Sequence, residues 1–322
     1  MTITLSIIIV NWNVWDDLHE CIESIFKSSF PEEMEVILVD NASSDQSVVN
    51  TQSAFPDVKI ISNSTNVGFP KANNQALAVA KGEFVLFLNP DTVLMPDTLY
   101  GCISYMRSQE DIGMLGCKIL YPDGSIQYDC ARNFPSLHTT VWSAFYLHML
   151  FPKSRLFGEE LMGYWDHKTS RDVPCLLGAF MLSRRSILQE MGGMDESIFM
   201  FLEDMDLCFR VKQGGWRVYY LADFSMVHKS KKSQKKLKLP MTYEYATARY
   251  EFFKKHYGLT KARICRLLFL VQGIFRLMVS FIFLPLAYLS PRLRSWLRNT
   301  HRPVVQLNLL RWVYEYRSLS GN

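Results

Sequence analysis

Short apolar runs alternate with amphipathic stretches through the first 120 residues. Leu5–Val10 and Val36–Val39 are β-branched runs that end in polar residues, and Val58–Ile61 and Phe84–Leu88 repeat the pattern. Between them, the residue spacing predicts helices around Trp15–Phe26, Ser47–Ser53 and Lys71–Ala80. Strand–helix alternation at this interval predicts an α/β fold with a mostly parallel central sheet and flanking helices. In such sheets ligands sit at the carboxyl ends of the strands, so the residues that follow each run are the ones to inspect.

Further along, Cys175–Leu182 reads as one buried strand, Arg184–Met191 as a short helix closed by Gly192-Gly193, and Glu203–Gln213 as a helix ended by Gly214-Gly215. A strand at Trp216–Leu221 and a helix over roughly Tyr243–His256 follow. Residues 121–173 are less regular; the aromatic-rich stretch Leu137–Phe157 reads as packed core, with a membrane-facing acceptor flap as the alternative. From residue 264 to 289 the chain is markedly apolar. Its uninterrupted run, Leu277–Leu289, is shorter than the roughly 20 residues that a spanning helix needs. On a helical wheel Arg266, Gln272 and Arg276 share one side, while Ile264, Leu267, Leu268, Val271, Ile274, Phe275 and Met278 share the other. The pattern predicts a helix lying in the cytoplasmic leaflet. The alternatives are docking in the protein's own core and a tilted transmembrane hairpin.

All four early strands end in polar clusters: Asn11-Trp12-Asn13, Asp40 through Asp45, Asn63 through Phe69, and Asn89-Pro90-Asp91-Thr92. Turn chemistry accounts for these residues one at a time, but less well for their recurrence at every strand end. No G-x-G-x-x-G or Walker-A loop is present, which counts against a dinucleotide-dependent dehydrogenase and a P-loop NTPase. Apolar residues make up 48% and charged residues 20%, which excludes disorder. The seven scattered cysteines include no C-x-x-C pair, which argues against a zinc knuckle or a disulfide framework and fits a reducing compartment. The N-terminus carries no signal-peptide pattern. The net charge of +4 conceals an asymmetry. Residues 229–322 hold 19 Lys and Arg against Glu244, Glu251 and Glu315, so they carry +16 while residues 1–228 carry −12. Six lysines fall within Lys229–Lys238, and Arg292, Arg294, Arg298 and Arg302 follow the apolar segment. A basic, apolar end predicts an anionic membrane surface as partner, while the lysine stretch itself reads as a lid over a diphosphate, a patch for anionic lipid or a solvated loop. Nucleic acid is not expected, because no base-reading module accompanies the charge.

Two acidic clusters stand more than a hundred residues apart: Asn89-Pro90-Asp91, and Glu203-Asp204-Met205-Asp206 after the aromatic, Met-rich Ile198–Leu202. Carboxylates among apolar neighbours need a reason, because an unpaired buried charge is costly. Metal coordination, general-base work and the first turn of a helix all supply one.

The order of the pieces adds to this. Ser6–Asn11, Asp40–Asp45, Asn66-Val67-Gly68-Phe69 with Ala72-Asn73-Asn74, Leu88–Asp91 and Leu177-Gly178-Ala179-Phe180 resemble glycosyltransferase family 2. The resemblance continues through Gly192–Glu196, Glu203–Arg210, Gly215–Val218 and His228, with the flavour of rhamnosyltransferase-like members of bacterial surface polysaccharide synthesis. It covers about residues 5–230 and implies a GT-A fold, placed here over residues 1–258, while the basic, apolar residues 259–322 read as a membrane-associating extension. It further implies that Asp40 contacts the nucleobase and that Asn11, Asn74 and Asn41 line the nucleoside side. Asp91 matches the last carboxylate of the family's metal motif. Asn89 replaces the first, and would act through water or on the sugar. His228, on the far side of the sheet, resembles a histidine that completes the metal site, so Mg²⁺ or Mn²⁺ is the expected cofactor. Asp204 matches the catalytic base, with Glu203 and Asp206 orienting it or contacting the acceptor.

The implied reaction is an inverting, metal-dependent transfer from a nucleotide sugar, dTDP-rhamnose first and a UDP-sugar next, to a lipid-linked saccharide on the cytoplasmic face of the inner membrane. Two rivals stand beside it. Asn89 motivates a GT-A scaffold or nucleotide-sugar-binding protein without catalysis. A sugar nucleotidyltransferase is disfavoured, because Asn11–Trp15 bears no likeness to its Gly-rich basic loop.

Overall fold

A computed structural model describes residues 3–229 and 241–287. The elements run β1 (Leu5–Asn11), α1 (Trp15–Phe26), β2 (Met34–Asp40), α2 (Ser47–Ala54), β3 (Lys59–Ser62), α3 (Phe69–Val79), β4 (Phe84–Leu88), β5 (Thr92–Leu94), α4 (Thr98–Ser108) and β6 (Ile112–Leu120). Next come β7 (Ala131–Arg132), α5 (Leu137–Ala144), α6 (Leu147–Leu150), β8 (Arg171–Asp172), β9 (Cys175–Leu176), β10 (Phe180–Arg184), α7 (Arg185–Glu190), α8 (Glu203–Gln213), β11 (Arg217–His228), α9 (Met241–Tyr257) and α10 (Leu259–Ala287).

Every residue of β1 and β4 is buried, as strands covered by helices on both faces require. On α1 the buried Leu18, Cys21, Ile22 and Ile25 recur at helical spacing, which turns one stripe of the helix inward. The main sheet has the order β3-β2-β1-β4-β10-β6-β11-β5, with β8 added against β11; β7 and β9 form a small second sheet. The β1–β2, β1–β4, β2–β3 and β6–β11 pairs are parallel, whereas β10 and β5 run antiparallel to their neighbours. Register aligns Asn11 with Asp40 and Asp40 with Ser62, so the polar strand ends lie along one edge.

The expected single strand Cys175–Leu182 is broken. It divides into β9 and β10 around Leu177–Ala179, because the Gly178 N–H leaves the ladder for a side chain of α8. The strand expected to stop at Leu221 continues to His228, and that extension pairs with β5. All seven cysteines are buried thiols.

The chain packs as two compact units, Met1–Phe134 with Trp165–Lys236, and Pro135–Tyr164 with Leu237–Asn322. The polar strand ends and α8 belong to the first. In the second, Arg249 is buried and ion-paired with Glu160, and also donates to Thr139 and Thr140. The turn at Gly258 (φ 88°) separates α9 from α10, both of which belong to the second unit.

The stretch Leu137–Phe157 differs from its expectation as core. Thr139, Thr140 and Ala144 are buried, but Phe145, Met149, Leu150 and Phe151 are exposed. On α10 the polar side faces inward: Gln272 is buried, and Arg276 donates to the Ser143 carbonyl (2.6 Å) and lies over the Tyr146 ring. The apolar side is the exposed one, through Ile264, Leu267, Val271, Ile274, Met278 and Phe281, the last 72% exposed. Phe275 of that side packs against the Phe145 and Tyr146 rings and Leu268 is half-buried, so the side is partly covered within its own unit. Leu259–Phe283, with mean hydropathy 1.8, is by length and composition long enough to cross a membrane. Most of the Lys229–Lys238 stretch and the arginines from 292 onward lie outside the described residues.

Candidate active site

The first polar cluster is built from β1, β2 and the loops after them. Asn11 Nδ2 donates to Asp40 Oδ1 (2.9 Å), and the Ser43 N–H donates to Asp40 Oδ2 (2.9 Å). Asn13 and Ala42 adopt left-handed backbone (φ 58° and 61°), which folds the two loops together; Asn13 Oδ1 accepts from the Ser44 and Asp45 N–H groups. Asn11 Oδ1 is buried with no hydrogen-bond partner among the described residues, an oxygen that a ligand N–H would satisfy.

Two of the expected nucleoside contacts have other work. Asn41 donates to the Gly68 carbonyl and accepts from Asn63 and Val67, clamping the 63–68 loop. Asn74 donates to the Met194 carbonyl and Glu196 and accepts the Met194 N–H, tying α3 to the segment ahead of α8. Turn and loop chemistry accounts for both amides.

His228, expected on the far side of the sheet, instead stands beside Asp91, because the extended β11 pairs His228 with Thr92. His228 Nε2 lies 3.2 Å from Asp91 Oδ1, and both residues are buried. Gln127 Oε1 sits 3.0 Å from His228 Nδ1, so the two ring nitrogens face an amide and a carboxylate. Asn89 uses its backbone structurally, its N–H donating to the Ala179 carbonyl and its carbonyl accepting from Thr92 Oγ1; its side chain is half-buried. No group of three or more His, Cys, Asp or Glu that could hold a metal occurs among the described residues. One carboxylate and one imidazole do fit a divalent cation whose remaining positions go to phosphate oxygens and water. Lys229 is ion-paired with Asp17 and Glu20.

The acidic end is the first turn of α8. Phe201 and Leu202 both have left-handed backbone (φ 69° and 60°), unusual for bulky residues, and this kink starts the helix with its carboxylates inward. Asp204 is 4% exposed. Its Oδ2 accepts from Arg132 Nη2 (2.7 Å) and the Gly178 N–H (3.0 Å), and its Oδ1 accepts the Met205 N–H (2.7 Å). Glu203 beside it is 9% exposed, and its Oε2 has no hydrogen-bond partner among the described residues. Burial, and secondarily the Asp204 charge, push the Glu203 carboxyl up to about 8. Asp206, expected to orient the base or contact the acceptor, is fully buried and ion-paired with Arg210, whose other nitrogens bond the Met191 and Gly193 carbonyls. That burial leaves it no surface for an acceptor, so it braces the loop ahead of α8.

Sequence reasoning missed Arg132, Gln127 and the Gly178 N–H. All three lie in or next to short, irregular segments where no periodicity marks a side chain.

The arrangement joins two strand-end clusters and a buried acidic helix start on one scaffold. Residues 6–192 match the model of Glycosyl transferase family 2. The chain belongs to that family. This glycosyltransferase is 28% identical over 242 residues to an N-acetylglucosaminyl-diphospho-decaprenol L-rhamnosyltransferase of Mycobacterium tuberculosis (strain ATCC 25618 / H37Rv), covering 71% of this chain and 76% of that one. It is 29% identical over 171 residues to the rhamnosyltransferase WbbL of Escherichia coli (strain K12), covering 50% and 60%. Among solved structures, a mannosyltransferase from Pyrobaculum calidifontis in complex with GDP-Man and Mn²⁺ aligns with a TM-score of 0.59 at 16% identity, over 99% of this chain and 88% of that one. GalNAc-T7 with UDP, GalNAc and Mn²⁺ aligns with a TM-score of 0.58 at 13% identity, over 79% and 48%. The fold is GT-A.

Proposed function

We propose that this glycosyltransferase moves rhamnose from dTDP-rhamnose to a lipid-linked saccharide in cell-surface polysaccharide synthesis, with inversion in a single displacement. The mycobacterial relative supports the donor and acceptor classes. The observation that carries the chemistry is Asp204, a buried carboxylate fixed by three donors at the kinked start of α8. In this reading the proton of the acceptor hydroxyl passes to Asp204 and the hydroxyl oxygen bonds the anomeric carbon. The bond from that carbon to the diphosphate breaks, and the nucleoside diphosphate leaves with its electron pair. Asp40 and Asn11 hold the nucleobase end. Asp91 and His228 would hold Mg²⁺ or Mn²⁺, and such a cation, when bound, neutralises charge on the diphosphate. Asn89, two residues before Asp91, would offer its neutral amide to a sugar hydroxyl in this reading.

Residues 1–258 act as the transferase domain in this reading, and 259–322 as the membrane-associating extension. The exposed apolar face of α10 has an anionic bilayer as its occupant, because the same end of the chain carries +16 and Lys261 and Arg263 are exposed on the helix. Arg276, ion-dipole bonded inside the unit, favours a helix lying on the cytoplasmic face of the inner membrane over one that spans it.

A donor screen by thermal shift tests the reading. Saturating dTDP-rhamnose with Mg²⁺ or Mn²⁺ is expected to stabilise the wild type by about 2–3 kcal/mol at a hundredfold excess over Kd, and the cation-dependent part is expected to vanish in Asp91→Ala. A UDP-sugar giving the larger shift would reassign the donor. No shift with any nucleotide or cation would favour the non-catalytic scaffold that Asn89 suggests.

A further inference from the structure

We propose that Arg132 is a positioning residue for this reaction: it holds Asp204 Oδ2, sets Asp204 apart from the adjacent Glu203, and leaves Oδ1 to take the acceptor's proton. The proposal rests on the reading of Asp204 as the base.

The small β7–β9 sheet does the holding. Arg132 pairs with Cys175 across it, and the chain leaving β9 reaches Gly178 two residues beyond Leu176. The Leu177 N–H donates to the Cys130 carbonyl, which pins that exit. One sheet therefore delivers both donors, the guanidinium at 2.7 Å and the Gly178 N–H at 3.0 Å, to the same oxygen. A carboxylate oxygen with two strong donors has its lone pairs spent. Oδ1 carries only the N–H of the next residue and keeps a lone pair for a hydroxyl.

The partners of the two carboxyls point the same way. The Arg132 guanidinium bonds Asp204 Oδ2, while among the described residues Glu203 Oε2 has no hydrogen-bond partner. Glu203 keeps an unpartnered buried oxygen, which a neutral acid tolerates and a carboxylate does not. Its upward shift to about 8 has burial as its first cause and Asp204 as its second, with Arg132 opposing. The other titratable groups packed here among the described residues are two thiols and a carboxylate with its own partner. The buried Cys175 thiol is pushed well up by burial, Cys208 is its neighbouring thiol, and Asp206 is committed to Arg210. Arg132 thus separates the roles of two carboxyls that their positions alone leave interchangeable.

The test uses full-length protein, dTDP-rhamnose and a synthetic polyprenyl-diphosphate N-acetylglucosamine, with rates measured from pH 5.5 to 9.5. In Arg132→Gln, kcat at pH 7 is expected to fall at least about tenfold, with KM for the donor within about twofold. Without the cation the carboxyl pair holds its proton to higher pH, so the acid limb of kcat is expected to move up by about one pH unit. Arg132→Lys keeps a cation and is expected to keep the limb. A purely structural latch would lower stability and rate at every pH alike, and superimposable acid limbs in wild type and Arg132→Gln would overturn the proposal. Carbon-13 titration of the labelled side-chain carboxyls adds a readout independent of turnover: identical titration of the 203–204 pair in both proteins would overturn it too. Wild-type rates in Asp204→Asn would instead remove the reading on which it rests.

Discussion

Helices α8 and α10 break the rule of amphipathic packing in opposite directions. The first turn of α8 puts Glu203, Asp204 and Asp206 in the interior, whereas α10 turns Gln272 and Arg276 inward and leaves an apolar stripe outside. Each inversion has a local cause. On α8, Arg132, Gly178 and Arg210 supply donors that make buried carboxylates tolerable, and one carboxyl keeps its proton instead. On α10, the Ser143 carbonyl and the Tyr146 ring receive Arg276, so the apolar stripe is left for a different solvent. Buried charge with donors is what the catalytic proposal rests on, and exposed apolar surface beside basic sequence is what the proposed bilayer contact rests on.

The largest effect expected from breaking this contrast is on α8. Asp204→Asn keeps size and most hydrogen bonding but cannot accept the proton, so turnover is expected to fall by about 10³-fold or more, with donor-induced thermal stabilisation retained. Turnover in the wild type and its loss in this variant, measured by nucleotide release, would separate an enzyme from a binding scaffold. An unchanged rate would move the base elsewhere.

A smaller effect is expected on α10. Leu267 and Ile274 are exposed on the same apolar side, and burying each in lipid contributes about 1.5–3 kcal/mol. Leu267→Glu with Ile274→Glu is expected to lower partitioning onto phosphatidylglycerol vesicles by about tenfold or more while leaving the melting temperature nearly unchanged. Sedimentation at low and high salt reads this out. Unchanged partitioning would place the contact elsewhere in the basic end. Resistance to alkaline extraction, as opposed to salt, would show that the helix spans.

Much of this was legible in the chain. The buried runs of β1, β2 and β4 and the polar clusters after them carry a simple periodicity, and the order of motifs fixes the family. The division of α10 into a polar and an apolar side was also visible on a helical wheel, though not that the polar side would face inward. What was hidden depends on contacts between distant segments. Arg132 meets Asp204 across 72 residues, and Gln127 meets His228 across 101, each from a stretch too short to show a period. Asn41 and Asn74 show the converse: motif positions whose amides the fold spends on its own loops. Asp206 likewise reads as one of three equivalent acids in sequence, and only its pairing with Arg210 sets it apart.

The smallest expected effect sharpens the account of α8 without touching turnover. In the native protein Glu203 keeps its proton up to about pH 8, whereas in the unfolded chain a glutamate gives it up near pH 4.5. Between those values the unfolded state binds fewer protons, so folding stability declines as pH rises from about 4.5 to 8, and the decline ends above the folded value. Glu203→Gln has the same shape and no titration. Its melting temperature relative to wild type is therefore expected to rise between pH 5 and 8, by at least about 2 °C, and to level off above that. Parallel melting curves across the range would mean that Glu203 is ionised in the fold. The neutral acid beside Asp204 would then have to be abandoned, and with it the separation of roles between the two carboxyls.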